Sequence, residues 1–189
     1  MMFNHIYKKN IDHNLFLVEP KTIYTFLSMQ MDLSSLMKQL NRQSGSFPGL
    51  ITKDTTFIDY LTIRENLLVA LSLAPNNSKR DLDLIVDEVL EELQIPDSLA
   101  DQHFDVLPVN LSLRLQLRLT ALCNKKIILV DDWLSYESPT AKQDWLLLFR
   151  EFTRKTGCSF ILFTPNEQLL PIKNQLKMTS TSYLSKKIS

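Results

Sequence analysis

Two apolar runs set the pattern of this chain: Ile127-Ile128-Leu129-Val130 and Ser159-Phe160-Ile161-Leu162-Phe163-Thr164. Neither alternates with polar residues, which predicts strands buried on both faces. Ser138-Pro139 between them predicts a helix start, serine at the cap and proline at the first position. Ala141, Trp145, Leu148 and Phe152 line one face of that helix, and Gly157 ends it. Strand, helix and strand in this order predict a parallel sheet with helices on its faces.

Upstream, residues 15–19 and 22–27 read as strands around a turn at Pro20. Asp32 reads as an N-cap before Leu33, Leu36, Met37 and Leu40, and a loop follows from Ser44 to Gly49. Thr62 and Glu65 form a capping box at the start of a helix reaching about Ala74. Pro75 to Ser78 reads as a linker, with Ser78 capping a second helix. That helix places Leu82, Ile85, Val86, Val89, Leu90 and Leu93 at helical spacing and ends at Pro96-Asp97-Ser98. Its acidic residues, Asp81, Asp83, Asp87, Glu88, Glu91 and Glu92, read as a solvated face. Asn166 is a candidate cap for a final helix, and residues 181–185 for a last strand.

One segment pulls two ways. Leu111, Leu113, Leu115, Leu117 and Leu119 alternate with Ser112, Arg114, Gln116 and Arg118, which is a strand pattern.

At 189 residues the chain suffices for one domain, or one domain with a small appendage. Hydrophobic residues at 44% and charged residues at 22% fit a globular protein. The 21 basic and 21 acidic residues balance, so no global field argues for nucleic acid or an acidic membrane surface. The longest apolar run, near Leu67 to Ala74, is too short to span a bilayer. No long apolar stretch near the N-terminus suggests a signal peptide. Cys123 and Cys158 lack metal-ligand spacing and fit a cytosolic setting as buried thiols. His5, His13 and His103 have no nearby nucleophile in the sequence and read as surface residues, and Lys186 and Lys187 as a solvated tail.

Only three glycines are present: Gly45, Gly49 and Gly157. A phosphate-cradling loop needs several, because backbone N–H groups must reach the anion without a Cβ in the way.

From Leu107 to Asn166 the order and spacing resemble the nucleotide-binding subunits of ABC transporters. Leu107-Pro108-Val109-Asn110-Leu111 falls on the family's Leu-Ser-Gly-Gly signature, and Arg114 on the arginine after it. Asp131-Asp132-Trp133 falls on Asp-Glu-Pro, Ser138-Pro139 on the D-loop, and Thr164-Pro165-Asn166 on Thr-His-Asp. Upstream, Thr56 to Asn66 resembles the segment after the Q-loop, closest in form to the ATPase subunits of Mla/Mce-type phospholipid transporters. The resemblance covers roughly residues 53–166. It makes the 111–119 segment a helix, which leucine and arginine favour. It implies a P-loop-NTPase-like α/β fold, a parallel sheet flanked by helices, with a helical subdomain insert and a reduced antiparallel part. Residues 1–52 and 104–189 would form the core, and 53–103 the Q-loop-like segment and helical subdomain.

The same resemblance implies that the chemistry is degenerate. The phosphate loop maps onto Ser28 to Ser35, with Ser34 at the lysine position and Ser35 keeping the magnesium-type hydroxyl. Asp32 would repel a polyphosphate. Lys53 falls on the Q-loop glutamine, Asp132 on the catalytic glutamate, Pro165 on the switch histidine, and Asp131 on the magnesium aspartate. Val109 and Asn110 replace the signature glycines. The expectation is a pseudo-ATPase without ATP or Mg²⁺, since the phosphate-binding and water-activating groups are missing together. It would be cytoplasmic and peripheral to the inner face of the membrane through a permease or ATPase partner, in a bacterial lipid transport complex. Phe57, Tyr60 and Trp133 are the candidate anchors for that partner. Two alternatives stand beside it, a divergent active ATPase and a free-standing interaction module.

Overall fold

The computed structural model describes residues 14–54, 56–74 and 81–180. Its strands are β1 (Asn14–Phe16), β2 (Ile23–Leu27), β3 (Gly49–Ile51), β4 (Ile127–Val130), β5 (Ser159–Thr164) and β6 (Met178–Ser180). Its helices are α1 (Leu33–Ser44), α2 (Ile63–Ser72), α3 (Leu82–Glu92), α4 (Asp97–Ala100), α5 (Val109–Leu122) and α6 (Pro139–Thr156). The main sheet runs β2-β5-β4-β3, all parallel, so β5 enters between β2 and β4. β1 and β6 form a separate antiparallel pair. This is the α/β architecture expected, a parallel sheet flanked by helices with a small antiparallel part.

Alternate residues of each strand feed opposite faces, as the pleat dictates. Ile23, Ile51, Ile128, Val130, Phe160 and Leu162 pack with Trp145, Leu146 and Phe149 of α6 and with Leu113 and Leu117 of α5. Tyr24, Phe26, Leu129, Ile161 and Phe163 pack with Leu36 and Leu40 of α1 on the other face. A third cluster joins Ile63, Leu67 and Leu71 of α2 to Val86, Val89 and Leu90 of α3, closed by Leu115 and Leu119 of α5.

The third cluster resolves the leucine alternation. Residues 113 and 117 lie one helical turn apart and face the sheet; 115 and 119 lie one turn apart and face α2 and α3. Two interleaved helical stripes, each buried against a different neighbour, sum to a strand-like pattern.

Several local expectations hold. Asp32 caps α1, Thr62 and Glu65 form a complete capping box on α2, and Ser138 caps α6 with proline in its first turn. Gly45 and Gly157 end α1 and α6 in the left-handed conformation, at φ 71° and 76°. Others need correction. The first strand is Asn14–Phe16 rather than 15–19, and Lys21 at φ 59° turns the chain into β2. The Ser44–Gly49 loop gives way at its end to β3. The second helix starts at Leu82 with Asp81 as its cap, accepting from the Leu84 N–H at 3.3 Å. Ser78 and the Pro75–Ser78 linker lie outside the described residues, as do His5, His13, residues 181–185 and Lys186 and Lys187. Pro96 caps the short α4 rather than ending α3. Asn166 caps only a single turn, Glu167–Leu169, where its Oδ1 accepts from Gln168 N–H at 2.9 Å.

Candidate functional site

All four strands of the main sheet end on one side, and there the chain order switches between β2, β5 and β4. Parallel sheets bind ligands at such a rim. Its groups come from the loops after Leu27, Ile51, Val130 and Thr164, and Asp32, Lys53, Asp131 and Thr164 among them are each bonded to another group of the same chain.

After β2 the chain makes a tight turn, with Gln30 N–H donating to Leu27 O at 3.0 Å and Ser28 N–H to Thr164 O at 2.9 Å. Asp32 then sits over the N-terminus of α1, where its carboxylate accepts from Ser35 N–H at 2.9 Å and from the Ser35 hydroxyl at 2.7 Å. A helix N-terminus favours an anion there. These bonds hold the Asp32 carboxyl below the usual range. None of residues 28–35 adopts the left-handed conformation with which successive N–H groups form an anion nest. Ser34 is exposed and Ser35 half-buried.

Asp131 follows β4 in a half-buried position. One of its oxygens accepts from Thr52 Oγ1 at 3.1 Å, the other from the Asp132 N–H at 2.8 Å. Burial, then Asp131 and Asp54, push the Asp132 carboxyl above its ordinary value. Lys53 extends to Glu137 Oε1 at 2.7 Å and lies 5.7 Å from the centre of the Trp133 ring. Thr164 is buried, accepts from Ser135 Oγ at 2.8 Å and donates to Asn166 O at 2.9 Å. Pro165 is exposed beside it, and Val109 and Asn110 are exposed at the start of α5. Among the described residues, no group of three or more histidine, cysteine, aspartate or glutamate side chains is placed to hold a metal.

The three candidate anchors separate. Tyr60 is 78% exposed. Phe57 is half-buried and stacks on Phe104 with ring centroids 3.8 Å apart. Trp133 is 5% exposed, donates from Nε1 to Ile51 O at 3.2 Å and meets Trp145 edge-on. Its position in the core removes Trp133 from the accessible surface.

Phe57 also lines a groove of about 400 Å³ between the start of β3, α2 and α5. Pro48, Leu50, Ile58, Val69, Leu73 and Leu119 supply apolar wall, and Leu73 is 80% exposed. Two buried amides, Asn66 and Gln116, also line it. Their signal in the sequence is a polar residue at a core-facing helical position.

No family model matches the chain. The methionine import ATP-binding protein MetN 3 of Pectobacterium atrosepticum is 30% identical over 120 residues, 61% of this chain. The chain spans 33% of that relative's length. Among solved structures, an inward-facing metal-chelate type ABC transporter superposes with TM-score 0.57 at 16% identity, covering 88% of this chain and 74% of the other. A dimeric ATP-binding cassette in a post-hydrolysis state, bound to ADP and phosphate, gives 0.58 at 13% identity over 81% and 78%. CbiO1 of Clostridium perfringens, part of an ABC transporter complex, gives 0.59 at 12% identity over 90% and 82%. The fold is therefore that of the ATP-binding cassettes of ABC transporters. Among the described residues, no helix is long and apolar enough to cross a membrane.

Proposed function

We propose that this chain is a non-catalytic, ABC-ATPase-like subunit that docks on a membrane permease, an active ATPase subunit or both. The observation that carries this reading is the Asp32 carboxylate over the N-terminus of α1. A negative charge of the chain itself lies where a nucleotide phosphate would need positive potential. Lys53 tied to Glu137, Asp131 bonded to Thr52, and Pro165 in place of a donor support it. The groove flanked by Phe57 and Leu73 is the docking surface, suited to the apolar side of an amphipathic helix. The likeness of Thr56–Asn66 to Mla/Mce-type subunits supports a bacterial phospholipid transport complex, with this subunit at the cytoplasmic face of the membrane.

A second reading, an active ATPase with an altered phosphate site, draws on Asp131 and on the identity to MetN 3. Calorimetric titration with Mg·ATP separates the two. The non-catalytic reading expects no binding heat and no phosphate release; tight binding abolished by Asp131→Ala would sink it. Purification of the native complex in mild detergent should bring a membrane protein with this chain. Its recovery as a free monomer would favour a free-standing module.

A further inference from the structure

β3 is the edge strand of the sheet, and among the described residues no strand pairs with its open side. Asp131 N–H reaches Ile51 O from the β4 side at 3.0 Å. The main-chain groups of the next residue, Thr52, therefore face the open edge. Gln116 of α5 meets both: its Oε1 accepts from Thr52 N–H and its Nε2 donates to Thr52 O, each at 2.9 Å. The carboxamide thus does what a neighbouring strand would do. It is 4% exposed, and only this orientation of the amide satisfies both groups.

The other end of the segment is held in the same way. Asn66 of α2, also 4% exposed, accepts from Ile58 N–H at 2.7 Å. Its Nδ2 lies 3.1 Å from Ile58 O, 3.2 Å from Leu61 O and 3.0 Å from Thr62 O. Both amides also line the apolar groove. Buried polar groups at such positions would each be penalised if left without partners, so they fix the loop that satisfies them.

We infer that Gln116 and Asn66 are a pair of clamps that hold the groove wall in its partner-ready arrangement without nucleotide. The clamps rest on geometry alone; their meaning for docking rests on the proposed function. Preorganisation of this kind lowers the ordering cost of association. A wall fixed by α2 and α5 also makes partner engagement insensitive to ATP.

Residue-resolved amide exchange on the full chain, with and without Mg·ATP, tests the inference. Thr52 and Ile58 are expected to exchange far more slowly than in an unstructured peptide, with no change on adding Mg·ATP. Gln116→Met should accelerate Thr52, and Asn66→Leu should accelerate Ile58, each by roughly tenfold, the effect of one lost buried hydrogen bond. The amides of β4 and β5 should keep their protection, which separates a local clamp from a general loss of stability. If a substitution unfolds the chain, the rates in the unsubstituted protein decide. Rapid exchange at Thr52 and Ile58 there, or protection gained only with Mg·ATP, overturns the inference. Mg·ATP binding in calorimetry with these rates unchanged would instead sink the non-catalytic reading and leave the clamps standing.

Discussion

The carboxylate of Asp32 accepts two hydrogen bonds from Ser35, one from its N–H at 2.9 Å and one from its hydroxyl at 2.7 Å. Those bonds favour the ionised form and lower the native pKa of Asp32. The unfolded chain then takes up the proton first. The stabilisation is present above the ordinary aspartate pKa of about 3.9 and is lost as pH falls through the lowered native value. Asp32→Ala should therefore lower the melting temperature at neutral pH, by a margin that shrinks in strong acid. Thermal melts of parent and variant at both pH values check this, and an unchanged margin would contradict it.

Gly49 is required by a close approach rather than by its backbone angles. A Cβ built there would lie 2.5 Å from Thr120 Cγ2 and 3.1 Å from Thr120 Cβ. Gly49→Ala should destabilise the chain by about 1–3 kcal/mol through overpacking between β3 and α5. Thr120→Ser removes the obstructing methyl and keeps the hydroxyl that donates to Leu117 O at 2.6 Å. The double variant should recover part of the loss, giving a coupling of at least about 0.5 kcal/mol in urea unfolding. Strict additivity would show that the strain lies elsewhere.

Arg64 gathers three carboxylates, pairing with Asp87 of α3, with Asp97 at 2.7 Å and with Asp101 at 3.4 Å. It ties α2 to α3 and to the ends of α4. The acids are largely exposed, so each pair is weak and the network stabilises by only about 1 kcal/mol at low salt. Arg64→Met should lose about that amount, and the loss should fade near 1 M salt, where the Debye length is about 3 Å. Denaturant midpoints at two salt concentrations measure both effects.

Local chemistry made much of the fold legible. The Thr62–Glu65 box, Ser138-Pro139 and Gly157 each act within a turn of themselves, so the sequence carries their whole cause. β3 was hidden because its three residues form a strand only by pairing with β4 and lying under α5. The leucines of α5 carried a strand-like pattern beside the helix that the resemblance implies, because their two partners are distant in sequence. At the rim, the sequence supplied the residue types but not their pairings. Those pairings were not legible, since Lys53–Glu137 and Thr52–Asp131 span 84 and 79 residues. Gln116 looked like one polar tooth of an alternating pattern, and only the edge position of Thr52 reveals its role.

Leu73 separates docking from stability. It closes α2 with 80% of its surface exposed and lines the groove, so it contributes little to the core. Leu73→Glu should leave unfolding free energy within about 0.5 kcal/mol of the parent. If the groove receives the apolar side of a partner helix, the same change introduces a charge that must be desolvated on docking. The loss expected at a central contact is about 2 kcal/mol, roughly thirtyfold in affinity. Leu84 on α3 is a matched control, 57% exposed and absent from the groove lining. Leu84→Glu should retain the membrane partner in mild-detergent purification while Leu73→Glu loses it. Retention by both would place the docking surface away from the groove, and loss by both with stability intact would show that it is not confined to the groove.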